Sequence, residues 1–411
     1  MDPVDSHEPL IYLDETVALI DIPASIAHAQ GTSEHPFRHV LLSRQPIEQP
    51  FPNNEPKTEK SKQRVLERNP ELVEAPEYRA LIEDALRKLH ECNQRPFCLP
   101  RKSDPETEPH KRKQEPNHKG ERKHKSTKLD SALSTTNYAE SDREAACHEK
   151  KHDFSKSGER SAKFFIPPNA SFIVGNVESD PQANRKVWKS AIPKFDFILL
   201  DPPWPNRSAE RKLSYSVYGN MTETDRMLRN LRVLLEPRIK DFTYVALWVT
   251  NNANVRKSAT KFLESLRVKI IEEWVWVKTT KNGEPILPLD GIWRQPYEIL
   301  FVAQASNGYE HGGCWTHEPK IIRRAIVAVP DLHSRKPCLK LLLERWLDDI
   351  KKKHGEYAAL EIFARHLVAG WTSWGNECLK FQDVGCWITE DEEHSDTKPV
   401  TISVDSLIDY A

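Results

Sequence analysis

The sequence predicts an α/β fold, a mostly parallel sheet covered by helices, over residues 161–390. Three observations predict it. From residue 165 onward, short apolar runs alternate with amphipathic helical stretches, the pattern of a parallel sheet with helices on both faces. The run from Phe195 to Leu200 is apolar except for Asp196, as in a strand buried on both faces at the centre of such a sheet. That run ends in Asp201-Pro202-Pro203-Trp204. Proline cannot continue a central strand, so the chain leaves the sheet there and sets a carboxylate where open α/β sheets bind ligands.

The elements follow from period and punctuation. Residues 171–174 read as a strand and 184–189 as a short helix. Residues 195–200 are the central strand. A helix is expected over 222–235, with Thr222 as N-cap and Pro237 beyond its end. A strand over 244–249 and a helix over 253–266 come next. Strands over 269–278 and 298–303 flank a Gly/Pro loop. A long helix over 337–352, with Pro337 in its first turn, precedes a last core strand over 360–364.

The rest of the chain is organised differently. Residues 1–100 read as an N-terminal module: short apolar runs such as 10–13 and 17–22, a polar linker over 51–63, and a helical stretch over 64–94 broken at Pro70 and Pro76. Plain packing onto the main domain is the simplest role for it. Residues 101–160 carry almost no large apolar side chains, so they predict a disordered linker. Their basic clusters, 110–113 and 122–125, suit nuclear import or phosphate binding as well as simple solvation. Residues 391–411 read as a C-terminal tail.

The seven cysteines are odd in number and contain no Cys-x-x-Cys pair, so neither a disulfide framework nor a zinc site is supported. Reduced thiols place the chain in the nucleus or cytosol. The histidines lack metalloprotease spacing, and no metal is expected. No signal-like segment opens the chain, and no run approaches ~18 apolar residues, so a membrane span is not expected. The net charge of -1 does not announce a nucleic-acid partner by itself.

The four residues after the central strand suit one difficult reaction. An adenine exocyclic amine is a poor nucleophile because its lone pair is conjugated into the ring. Acceptors that hold its hydrogens localise that pair. Asp201 is an acceptor-only carboxylate, the Pro202 carbonyl is a second acceptor pinned by its ring, and Trp204 offers a flat face for a base. Asp-Pro alone reads as a turn. Asp201-Pro202-Pro203-Trp204 behind a buried strand resembles the signature of the DPPW-type adenine N6-methyltransferases, the family that includes the catalytic subunit of mRNA adenosine methylation. Its branch of methyltransferase-like protein four is the nearest match. The resemblance covers roughly residues 165–390.

The resemblance implies a Rossmann-like methyltransferase domain that uses S-adenosyl-L-methionine and acts on nucleic acid. It assigns Asp201, Pro202, Pro203 and Trp204 to catalysis. Asn176 and Val177, after the strand ending at Gly175, fall to the adenine end of the cofactor. Ser334 and Lys336 fall to its methionine moiety. Glu361 suits the two ribose hydroxyls, which one carboxylate can accept together, with Arg365 nearby and Asn376 and Glu377 closing the pocket. Tyr218, or its neighbour Tyr215, would face the target base. Lys278 ends a Trp-Val-Lys-Thr strand and would meet a phosphate; Glu298 would accept from the base and Arg294 hold the backbone. RNA, small nuclear RNA and 2′-O-methylated adenosine included, is the favoured substrate, and DNA is the alternative. A catalytically silent RNA-binding subunit is a second alternative, and methylation of protein or a small molecule a weaker third. The N-terminal module would let the chain act as a monomer.

Overall fold

The computed structural model describes residues 8–52, 58–68, 76–93, 95–103, 161–177, 193–205, 221–291, 294–313, 315–332, 334–389 and 398–403. The strands are β1 (Leu10–Leu13), β2 (Val17–Ile20), β3 (His39–Leu41), β4 (Ser161–Phe164), β5 (Ser171–Val174), β6 (Phe195–Leu200) and β7 (Ile239–Val249). They continue with β8 (Val268–Lys278), β9 (Tyr297–Ala305), β10 (Ile322–Ala328), β11 (Ala359–Ile362), β12 (Trp371–Gly375), β13 (Trp387–Thr389) and β14 (Val400–Ser403). The helices are α1 (Ile22–His28), α2 (Glu59–Arg68), α3 (Pro76–Cys92), α4 (Met221–Leu235), α5 (Ala253–Ser265), α6 (Lys340–Trp346) and α7 (Asp348–Lys351).

One ten-stranded sheet, ordered β1-β2-β10-β8-β9-β7-β6-β11-β12-β5, carries the fold. Its pairs are parallel except around β9, which runs antiparallel to β7 and β8, and at the β1–β2 edge. Side chains alternate between two cores. Ile198 and Leu200 face the same side as α3, α4 and α5, while Phe197 and Leu199 face α1, α6 and α7. This is the expected Rossmann-like arrangement of helices on both faces. Read outward from β11, the order β5-β12-β11-β6-β7 matches the 3-2-1-4-5 half of a doubly wound sheet, with the first two strands supplied last in the chain. The chain leaves β6 toward β7 on one side and β11 toward β12 on the other. The crevice between β6 and β11 is therefore the switch point at which such sheets bind ligands.

Several expectations need correcting. The 337–352 helix is two short ones. Leu347 adopts an extended conformation between α6 and α7 (φ -96°, ψ 108°) and is buried. Pro337 precedes α6 rather than opening it, and the Cys338 amide donates to Ser25 Oγ at 3.0 Å. Met221 opens α4, so Thr222 lies inside the helix rather than at its cap. The strand read over 244–249 begins at Ile239. Residues 17–20 join the main sheet parallel to β10, α3 packs Tyr78, Ile82 and Leu89 into the core, and 400–403 pair with β4. The helix at 184–189, almost all of the 101–160 linker, and Tyr215 and Tyr218 lie outside the described residues.

Candidate active site

Parallel strands bring their carboxyl ends to one edge of the sheet, and antiparallel β9 contributes its amino end there. Asp201, first residue after β6, is tied to β11 through its amide, which donates to Ile362 O at 3.3 Å. Its carboxylate Oδ1 accepts from Lys336 Nζ at 2.9 Å. Lys336 also lies 3.2 Å from Glu298 Oε2, and Lys278 Nζ lies 2.5 Å from Glu298 Oε1. The result is a chain of alternating charge, Lys278–Glu298–Lys336–Asp201, drawn from the ends of β8 and β6, the start of β9 and the loop after β10. Burial opposes ionisation of Glu298, yet Lys278 and Lys336 outweigh it and hold the carboxyl well below the usual range. Burial likewise disfavours charge on Lys336, and Asp201 and Glu298 reverse that and raise its pKa. Lys336 also sits over the Trp248 ring, 5.1 Å from its centroid.

The cleft beside this chain is lined by Asp201, Trp248, Ser334, Lys336, Glu361, Phe363 and Arg365. Glu361 is 9% exposed. Burial, with Asp201 adding to it and Arg365 opposing, pushes its carboxyl up to about 8. Arg365 donates to Ser334 O at 2.8 Å and to Glu377 at 3.1 Å, and Lys380 reaches Glu377 at 2.9 Å. Two non-glycine residues of the cleft, Ser334 (φ 63°) and Phe363 (φ 65°), hold left-handed backbone. Such strain persists only where the surroundings enforce it, and it concentrates at functional sites.

The structure thus brings Asp201, Ser334, Lys336, Glu361 and Arg365 to one cleft, with Glu298 joined through Lys336. Glu377 stands behind Arg365. Asn176 and Asn376 follow the ends of the neighbouring strands β5 and β12, linked by Gly175 N to Gly375 O at 3.4 Å. The Val177 side chain, expected at the cofactor, is buried in the core instead. Trp204 does not offer the expected open face. It is 7% exposed and donates Nε1 to Trp248 O at 2.7 Å, so it anchors the turn to β7. Pro202 O accepts from Trp204 N at 2.8 Å across Pro203, whose fixed φ suits this tight turn. One lone pair of that carbonyl remains. Lys278, expected on a phosphate, is committed to Glu298 and lies 4.6 Å over the Trp276 ring. Arg294 is exposed.

Sequence reasoning missed Arg335 and His366, which also line the cleft. Arg335 pairs with Asp331 where both side chains are fully buried. His366 is held neutral, its pKa pushed down to about 4 by burial and by Arg335. Arg335 lies between two expected site residues, and that neighbourhood was its only signal.

An α/β sheet with charged and strained groups gathered at its switch point defines a ligand-binding enzyme domain of the Rossmann-like class. The chain belongs to the MT-A70 methyltransferase family, whose match spans residues 195–377. It is 32% identical over 390 residues to a Cryphonectria parasitica protein named N6-methyladenosine RNA methyltransferase MTA1, covering 91% of this chain and 92% of that one. The human protein named N(6)-adenine-specific methyltransferase METTL4 is 34% identical over 55% of this chain and 45% of its own. A Caenorhabditis elegans protein named DNA N6-methyl methyltransferase is 27% identical over 54% of each chain. Among the described residues no helix is long and apolar enough to cross a membrane, and no group of acidic, histidine and cysteine side chains could hold a metal.

Proposed function

We propose that this chain is an S-adenosylmethionine-dependent methyltransferase of adenine N6 in RNA, with small nuclear RNA and 2′-O-methylated adenosine within its range. The observation that carries the reading is the Asp201 carboxylate at the switch point, fixed by Lys336 and facing the same cleft as Glu361. The cleft fits the cofactor. Glu361 is a buried carboxyl lining the cleft, and a vicinal diol would give it hydrogen-bond partners there. Ser334, Lys336 and Arg365 supply the polar and cationic groups for an amino-acid moiety, with Asn176 and Asn376 at the neighbouring strand ends. When bound, S-adenosylmethionine supplies a methyl group activated by its sulfonium.

The chain's own residues do the positioning. Lys336 engages Oδ1 of Asp201 and leaves the other carboxylate oxygen for an amine hydrogen. The free lone pair of Pro202 O takes the second. With both hydrogens held, the nitrogen lone pair is localised toward the methyl donor. Glu298, fixed between two lysines and joined to the cleft through Lys336, suits the base edge. Trp204 holds the turn rigid from behind, and Tyr218 is the candidate for stacking on the ring. Held geometry of this kind is worth up to ~7–11 kcal/mol. The basic clusters at 110–113 and 122–125 support a nuclear location and phosphate affinity, and the N-terminal residues support action as a single chain.

DNA is the second reading, favoured by the name of the nematode relative. A side-by-side assay decides between them: labelled methyl transfer to one adenine-containing sequence presented as RNA, as 2′-O-methylated RNA, and as single- and double-stranded DNA. The highest catalytic efficiency is expected on RNA. Highest efficiency on duplex DNA would replace the RNA reading, and transfer to none of them would leave a silent binding subunit.

A further inference from the structure

We infer that the N-terminal residues 42–44 and Arg101 form a strap that sets the geometry of the Ser334–Lys336 loop, with Arg101 as its positioning residue. The described residues between β10 and α6 belong to no strand or helix, and Arg335 N donates to Leu332 O at 3.1 Å within the stretch. Its remaining buried polar groups need partners from elsewhere. Arg101 Nη1 donates to Pro330 O and Nη2 to Val329 O, both at 2.7 Å, and Nη1 also reaches Arg44 O at 3.3 Å. Arg44 N donates to Asp331 Oδ1 at 2.7 Å. Asp331 pairs with buried Arg335, which donates to Leu42 O at 2.9 Å. Ser43 N donates to Lys102 O at 2.9 Å and closes the strap on itself. Leu99 N, two residues before Arg101, is pinned at 3.2 Å to buried Asp21, the N-cap of α1.

The same segment crosses to the loop after β8. Lys281 N donates to Ile47 O, Phe51 N to Ile286 O and Phe97 N to Lys281 O, at 2.8, 2.9 and 2.9 Å. Lys336 belongs to the first loop and Glu298 opens the strand after the second, and the two meet at 3.2 Å. A functional contact of this kind tolerates an error of only about 0.5 Å, so something must fix the Lys336 loop against the start of β9. Two segments, 42–51 and 97–102, each touch both loops. Arg101 suits the task because a planar guanidinium fork bridges three carbonyls, whereas an ammonium is a point charge.

The inference rests on reading the Ser334–Lys336 loop as the cofactor loop, and the test separates the two. Calorimetry first measures the dissociation constant of the full chain for S-adenosylhomocysteine; no binding by the wild-type chain would overturn the cofactor reading and the strap with it. Given binding, Arg101→Ala should raise that constant about tenfold or more, while affinity for an adenine-bearing oligonucleotide stays within about twofold. Guanidinium at tens of millimolar should restore cofactor affinity, and sodium chloride of equal ionic strength should not. A folded Arg101→Ala chain with unchanged cofactor affinity overturns the strap, as does loss that guanidinium leaves uncorrected. Should Arg101→Ala unfold on melting, Arg101→Lys carries the test: an affinity between wild type and no binding is expected, and wild-type affinity refutes the strap.

Discussion

Replacing Glu361 by glutamine should make the ligand-free protein more stable at alkaline pH and a poorer binder of cofactor. Burial and the nearby Asp201 carboxylate push the Glu361 carboxyl from its ordinary 4.5 to about 8. The folded chain therefore binds a proton there that the unfolded chain releases. Stability falls as pH rises from 4.5, and the loss is complete above about 8. At about 1.4 kcal/mol per pKa unit, that gap amounts to about 5 kcal/mol as an upper figure. Glutamine keeps the shape and removes the proton. Urea titrations of both proteins between pH 5 and 9 should show a decline in the wild type and a flatter line in Glu361→Gln, the two diverging upward in pH. Ligand binding reverses the logic, because a diol needs the ionised form. Calorimetry of S-adenosylhomocysteine at pH 7 in two buffers of different ionisation enthalpy should report proton release by the wild type and none by the variant. Parallel stability profiles, or a variant less stable than wild type at pH 9, would refute the reasoning.

Asp201→Ala should abolish methyl transfer with the fold intact, since the side chain stands at a strand end; turnover above a few per cent of wild type contradicts its role. Lys336→Met leaves Asp201 and Glu298 without their shared cation, and should lower stability by about 3 kcal/mol while raising the cofactor dissociation constant, as urea unfolding and calorimetry would record. Gly283→Ala sets a methyl group 2.5 Å from the Phe97 ring, at a φ of 86°. It should cost about 1–3 kcal/mol in thermal unfolding, and an unchanged melting temperature would show that the N-terminal residues are not seated on that loop as described.

The sequence disclosed most where one local rule sufficed. Phe195–Leu200 came out with its read boundaries because an apolar run is bounded by a proline stop, and Asp201 followed from it. Leu347 could not be anticipated: helical apolar spacing continues through it, and no local signal marks the buried, extended residue at which the helix breaks. The start of β7 was hidden by the polar pair Lys240 and Asp241 and by Phe242, which holds a left-handed φ of 61°. The pairing of β2 with β10 joins residues some three hundred positions apart and leaves no local trace. Arg101 acts on backbone carbonyls, and Arg335 partly so, and these carry no residue identity to be read. Trp204 and Lys278 were recognised as special by their neighbours, yet their partners Trp248 O and Glu298 are matters of tertiary proximity.

The order of strands across the sheet has a consequence for how the chain is made. Strands β5 and β6 are consecutive among the described strands but stand apart in the sheet, with β11 and β12 between them. During synthesis β6 emerges with one edge open, and β5 has no neighbour in the sheet until residues 359–375 have left the ribosome. A nascent chain stalled before that point carries two unpaired strand edges and half a crevice. Open edges are templates for association, and closure over so long a sequence separation is slow. Chaperone demand should therefore be greatest for chains halted between residues 200 and 359, and ligand cannot assist folding earlier, because the wall bearing Glu361 is among the last pieces to arrive.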